Sequence, residues 1–276
     1  MTRPATTFTG PDLCALPARE VVRGLREGSL SPAELVDAAA TRIAQVEPAV
    51  NAMPTTCIDR AHAAITGLTQ GDRNAPGWLA GLPVGIKDLN LVAGVRTTFG
   101  NRALADFVPE TSDPLVERLE SQGALVVGKT NTPEMGAGGN STNPVFGSTR
   151  NPWDTRMNAG GSSGGAAVSL ATGEVWLSHG SDLMGSLRTP AAHCGVLGLR
   201  PSPGLSTIEK YGAVLGSNSE SRWTVWFGII AYSTSHAASS LPASSSARRT
   251  FARLRPIFIT TSASVSATRR LNSVSG

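Results

Sequence analysis

The stretch NAGGSSGGAAVSLATG, residues 158–173, sets two adjacent serines, Ser162 and Ser163, between two glycine pairs and ahead of an Ala/Val/Leu-rich run. Taken alone it admits three readings. Gly/Ser tracts serve as flexible linkers, glycine punctuates turns, and a glycine-rich loop that opens a helix can present a reactive hydroxyl. The neighbouring segments decide between them.

On the N-terminal side, SLSPAELVDAAATRIAQVEPAV carries Ser31 as an N-cap, Pro32 at the first helical position and Glu34 placed for a capping box. Leu35, Ala39, Ile43 and Val46 recur at helical spacing, so a helix is predicted that ends before Pro48. RAHAAITGL reads as a second short helix, and LAGLPVGIKDLNLVAGV, with short apolar runs broken by Gly and Pro, reads as strands. DPLVERLESQGALVVGKTNTPEM combines a helix bearing Leu115, Val116 and Leu119, a stop at Gly123 and a buried strand, ALVVGK. Such helix-to-strand units build an α/β sheet, and residues 160–175 continue the pattern as loop, helix and next strand.

Composition narrows the class. The 276 residues suffice for one large domain or two small ones. There is no apolar run of eighteen residues, and the N-terminus lacks a secretory apolar core, so the expectation is a cytoplasmic chain with no membrane association. Cys14, Cys57 and Cys194 are far apart and read as thiols of a reducing compartment. The net charge of +4 is unevenly placed: residues 221–276 hold seven arginines, thirteen serines and no acid, whereas the preceding part has 20 acidic and 17 basic residues. The main body is mildly acidic, which argues against a nucleic-acid partner. The change of character near residue 220 divides the chain into a domain over 1–219 and a Ser/Arg-rich segment, 220–276, expected to be poorly ordered. The abrupt loss of acids is also what translation in a shifted frame produces.

No zinc motif, P-loop or dinucleotide fingerprint occurs, so neither metal nor cofactor is expected, and the four histidines read as structural or surface residues. Gly161–Gly165 matches the Gly-x-Ser-x-Gly elbow of α/β-hydrolases, with Ser163 as nucleophile. That chemistry needs an acid and then a histidine downstream; His179 precedes Asp182, and His193 follows it by only eleven residues. A different base is available. Lys87 ends the apolar run of GLPVGIKDLN, where desolvation disfavours its charged form and makes it a usable proton acceptor. Ser186, in HGSDLMGSLRTPAAHCG, follows Ser162 by 24 residues. A neutral lysine can relay a proton through one serine to another without any histidine.

These three segments, in this order, resemble the amidase signature family, whose members include fatty-acid amide hydrolase, malonamidase and the A subunit of glutamyl-tRNA amidotransferase. The resemblance rests on PVGIKD, GGSSGG and GSDLMGSLR, with GKTNTPEMGAGGNSTNPVFGSTRNPWD between, and spans residues 10–217. It implies an α/β fold of the amidase-signature type, with a mixed β-sheet core flanked by helices and the family's C-terminal part missing. It further implies a Ser-Ser-Lys triad: Ser186 as nucleophile, Ser162 as bridging serine on a cis peptide with Gly161, and Lys87 as base. The backbone amides of Leu183, Met184, Gly185 and Ser186 would line the oxyanion hole, with Ser163, Asp182 and Arg188 in support. The expected partner is a small-molecule amide, and a homodimer is compatible with this reading.

Two departures from the family pattern carry expectations of their own. Met184 stands where the family has glycine, so a strained turn with a crowded carbonyl site is expected. From residue 220 the sequence leaves the pattern, and with it the walls that select a substrate. The leading expectation is hydrolysis of a carboxamide to carboxylate and ammonia or amine. The alternatives are a catalytically impaired homologue and an amidotransferase A-type subunit.

Overall fold

Local signals set the first elements. The computed structural model describes residues 10–68, 75, 77–200 and 226–231, the last six by their backbone. Helix α1 (Ala18–Glu27) follows Pro17 and stops at Gly28, whose φ of 75° suits a left-handed cap. Helix α2 (Pro32–Val50) opens on the expected capping box: Ser31 Oγ accepts from the Glu34 amide at 3.2 Å, and Glu34 accepts from the Ser31 amide at 2.9 Å. Its end differs from expectation, because the helix runs through Pro48 to Val50. A proline in the last turn removes one N–H bond, but Glu47 Oε1 accepts the amides of Ala52 and Met53 just beyond and ties the chain down.

The remaining elements alternate. Strand β1 (Thr55–Thr56) leads into α3 (Ile58–Ile65), then come β2 (Pro83–Lys87), α4 (Pro114–Ser121) and β3 (Leu125–Thr130). A small hairpin of β4 (Thr142–Asn143) and β5 (Gly147–Ser148) precedes α5 (Gly164–Ala171), β6 (Leu177–Asp182), α6 (Arg188–Cys194) and β7 (Leu197–Leu199). The segment LNLVAGV after β2 is not a second strand but a turn bridged by Val92 and Val95. Strand β8 (Trp226–Ala231) lies within the Ser/Arg-rich segment, and its backbone pairs antiparallel with both β6 and β7. The rest of the expectation for residues 220–276 falls outside the described residues.

The six-stranded sheet has the order β1-β3-β2-β6-β8-β7. The central β3, β2 and β6 are parallel and the flanking pairings antiparallel, which gives the mixed sheet expected. Alternation along the strands sends residues to opposite layers. Val84, Ile86 and Val126 join Val116 and Leu119 of α4 on one face. Leu125 and Val127 join α2 and α5 on the other, with Val36, Ile43, Ala167 and Leu170. Burying each large aliphatic side chain here stabilises the fold by roughly 1.5–3 kcal/mol. The sheet is thereby a rigid base whose parallel strands deliver their carboxyl ends to one edge, the usual place for a site in such folds. Among the described residues, no helix is long and apolar enough to cross a membrane.

Candidate active site

Lys87 is the last residue of β2 and Asp182 the last of β6, so parallel neighbours bring them to the same end of the sheet. The loop quoted first turns into α5 between them. Its close approach depends on missing side chains. A Cβ on Gly180 would lie 2.7 Å from Ser163 Oγ, and one on Gly165 would lie 2.3 Å from the Asn131 amide nitrogen. Glycine at these two points lets the start of α5 sit directly on β6 and on the end of β3. The Gly161–Ser162 peptide is cis.

The Lys87 side chain is fully buried and ends among hydroxyls. Its Nζ lies 2.7 Å from Ser162 Oγ, 3.0 Å from Ser163 Oγ and 2.9 Å from Ser181 Oγ. Burial pushes its ammonium down to about 7, against the opposing pull of the Asp182 charge. Ser163 is fixed by two further bonds, donating to the Ser181 carbonyl at 3.1 Å and accepting from the Ser181 amide at 3.2 Å. Ser141 braces the loop by donating to the Ser162 carbonyl and accepting from the Gly164 amide.

A second lysine shows what distinguishes the first. Lys129, near the end of β3, also follows an apolar run and is equally buried, but its Nζ meets the Asp88 carboxylate at 3.1 Å and Thr97 Oγ1 at 2.6 Å. Asp88 in turn accepts from the Thr98 amide and hydroxyl. Burial lowers the Lys129 value too, with Asp88 opposing. An amine paired with a carboxylate is held as an ammonium, whereas one among hydroxyls can lose its proton. His179 is buried on β6; burial first, then the charges of Lys87 and Lys129, depress it to about 3, so it is neutral and suits a structural role.

The turn after β6 is organised by Asp182, which is inaccessible to solvent. One carboxylate oxygen accepts from the Gly185 amide at 2.7 Å, the other from the Leu187 amide at 3.2 Å, and Arg188 forks onto both at 3.0 and 2.9 Å. Burial alone would push this carboxyl up; Arg188 and the two amides outweigh it and hold it at about 2. Ser186 is half-buried, and its carbonyl accepts from the Ser163 amide at 3.0 Å, which joins the turn to the serine loop. The strain expected at Met184 is not there. The residue taking the left-handed backbone is Gly185, with φ 117°, and the Met184 side chain is 87% exposed. The turn places its one glycine where positive φ is needed and points the methionine outward.

Sequence reasoning did not single out Ser181 or the Lys129–Asp88 pair. Both had a signal. After Leu177, β6 continues as Ser-His-Gly-Ser-Asp, a strand of polar and glycine residues that is buried throughout, and buried polar groups require partners.

The family model described as Amidase matches residues 34–246. The A subunit of glutamyl-tRNA(Gln) amidotransferase from Anaeromyxobacter dehalogenans is 40% identical over 212 residues, covering 75% of this chain and 42% of that protein. The Sulfolobus acidocaldarius counterpart is 40% identical over 200 residues, covering 72% and 41%. The chain thus spans about two-fifths of the length of these curated relatives. Among solved structures, a bacterial aryl acylamidase of the amidase signature family superposes with TM-score 0.70 at 32% identity, covering 78% of this chain and 44% of that one. A 6-aminohexanoate cyclic dimer hydrolase complexed with substrate gives 0.68 at 29%, covering 80% and 44%. With a family model matched over most of its length and the same fold shared with solved members, this chain belongs to the amidase signature family.

Proposed function

We propose that this chain is an amidohydrolase that cleaves a carboxamide to a carboxylate and ammonia or an amine through an acyl-enzyme on Ser186. The observation that carries the proposal is the buried Lys87 amine, 2.7 Å from Ser162 Oγ and with its proton affinity brought to about 7. Neutral Lys87 takes the hydroxyl proton of Ser162 as Ser162 takes that of Ser186. Ser186 Oγ then bonds to the amide carbon and the carbonyl electrons move onto oxygen. Backbone N–H groups of the turn stabilise that oxyanion, a contribution of about 10²–10³ in kcat per donor. The Gly185 amide donates to Asp182, which leaves those of Leu183, Met184 and Ser186 as the proposed donors. On collapse the C–N bond breaks and the proton returns through Ser162 to the leaving nitrogen. Water, activated by the same relay, then releases the carboxylate. Asp182 and Arg188 hold the turn, and Ser163 holds the lysine.

The similarity to amidotransferase A subunits favours a second reading, in which the ammonia released from an amide is passed to a partner protein. A fluorophosphonate probe followed by peptide mapping tests the shared step: label on Ser186, lost in Lys87→Ala and Ser162→Ala, is expected. Label on Ser163 would move the nucleophile to the other motif, and no label at all would favour an impaired homologue. Ammonia released from simple amides by the isolated chain distinguishes the hydrolase from a subunit that needs partners.

A further inference from the structure

The three hydroxyls around Lys87 are not equivalent, and hydrogen-bond accounting separates them. A hydroxyl has one hydrogen to donate and two lone pairs to accept with. Ser163 Oγ donates to the Ser181 carbonyl and accepts from the Ser181 amide, so its contact with Lys87 at 3.0 Å takes its remaining lone pair. It has no hydrogen left for the amine. The charged Lys87 has three N–H groups, matched by three accepting oxygens at 2.7, 3.0 and 2.9 Å. The neutral amine has two N–H groups and one lone pair, so one hydroxyl must turn and donate. With Ser163 excluded, only Ser162 and Ser181 are left to do so.

We propose that Ser181 is a positioning residue: by accepting one N–H of neutral Lys87 while Ser163 accepts the other, it directs the lysine lone pair at the Ser162 hydroxyl. The proton-relay direction is thereby set by a serine that is neither the proposed nucleophile nor the bridging residue. Ser181 is held for this task by its place on β6, where its own amide and carbonyl fix Ser163 and its hydroxyl faces the amine. When Lys87 takes a proton, Ser181 remains an acceptor and only Ser162 turns back, so the relay moves one hydroxyl rather than three. This assignment deepens the proposed mechanism and rests on it for its catalytic meaning, but the hydrogen bonding itself does not depend on turnover.

The test follows Lys87 directly. The full chain contains three lysines, Lys87, Lys129 and Lys210, so ¹³Cε-labelled lysine gives three resonances, and Lys87→Arg identifies the one of interest. Ser181→Ala removes one of three acceptors from the buried ammonium and leaves Asp182, His179 and Lys129 in place. The Lys87 titration midpoint is expected to fall by about one pH unit or more, since bonds to charged groups are the strong ones. Ser181→Thr, which keeps the hydroxyl, should restore it. Ser181→Cys, nearly isosteric but a poor acceptor, should reproduce the fall and replaces the alanine variant if that fails to fold. A midpoint that stays in place or rises in both Ser181→Ala and Ser181→Cys overturns the assignment. Absence of fluorophosphonate label on wild-type Ser186 would instead count against the proposed function, while the lysine titration still decides the role of Ser181.

Discussion

The Lys87 amine and the Ser162 hydroxyl meet at 2.7 Å in a place neither shares with solvent: Lys87 is 0% exposed and Ser162 3%. Among the described residues no carboxylate forms an ion pair with this amine, in contrast to Lys129 with Asp88. A base is most effective when its proton affinity lies near the operating pH, and burial alone brings Lys87 there. Labelling of Ser186 by a fluorophosphonate should therefore rise with pH through a midpoint of about 7, where the neutral amine becomes the main form. Lys87→Met should lower the rate by about 10²–10⁴ and abolish that limb of the profile. A variant that keeps the midpoint would remove Lys87 from the relay. The measurement is labelling rate against pH, with circular dichroism to confirm folding.

The turn that carries Ser186 makes opposite predictions for adjacent residues. Gly185 has φ 117° and a Cβ there would lie 3.0 Å from Thr189 Oγ1, so Gly185→Ala should destabilise the chain by about 1–2 kcal/mol and reduce labelling of Ser186. Met184 is outside the left-handed region and faces solvent, so Met184→Gly should change stability by no more than about 0.5 kcal/mol and leave labelling unimproved. Urea unfolding and labelling rates check both. A gain in labelling on Met184→Gly would restore the view that methionine crowds this turn.

Arg188 lies half in solvent, but its partner does not, and acid should expose the difference. Asp182 is held at about 2, below its ordinary 3.8, so its contribution is present above the ordinary value and is lost as pH falls through about 2. Arg188→Ala removes the strongest of the groups that lower it, leaving burial less opposed. The acid-unfolding midpoint followed by fluorescence should then move to higher pH, with the two chains differing most above about pH 3.8 and converging as pH falls through about 2. Coincident acid transitions would show that the two amides, with Arg200 at 4.0 Å, hold Asp182 without Arg188.

What could be read from the sequence was what is local. The Ser31–Glu34 box fixes a helix start within four residues, and Gly123 stops α4 where its φ of 83° requires glycine. Lys87, Ser162 and Ser186 were singled out because their three short segments resemble those of the amidase signature family. Pairings between distant segments were out of reach: β1 is two threonines whose strand character comes from Lys129 and Gly128, and β8 is defined by its ladders to β6 and β7. The rule used for Lys87, an apolar strand ending in lysine, applies equally to Lys129. Only the fold separates them, by bringing Asp88 to one and three serines to the other. Ser181 went unnoticed for the same reason, since its partners come from 18 and 94 residues away.

Glu174 offers a prediction away from the site. It is fully buried between α5 and β6, Thr172 Oγ1 donates to its Oε1 at 2.8 Å, and Oε2 has no hydrogen-bond partner among the described residues. Burial first, then the nearby Glu47 charge, push its carboxyl up from 4.5 to about 8, against Thr172 and Arg42. A carboxyl raised in the folded state stabilises it fully below the unfolded value and loses that advantage as pH rises through the folded one. The wild-type chain should therefore lose stability progressively between about pH 4.5 and 8 from this group. Glu174→Gln keeps the shape and a hydrogen-bond acceptor but cannot ionise, so it should melt higher than wild type at pH 8 and flatten the pH dependence, with little difference at pH 5. Arg42 braces the same corner through the Thr172 carbonyl, so Arg42→Ala should steepen the alkaline loss in wild type and have less effect on the glutamine variant. Melting curves at pH 5, 6.5 and 8 decide it; parallel curves for wild type and Glu174→Gln would mean that Glu174 does not titrate in this window.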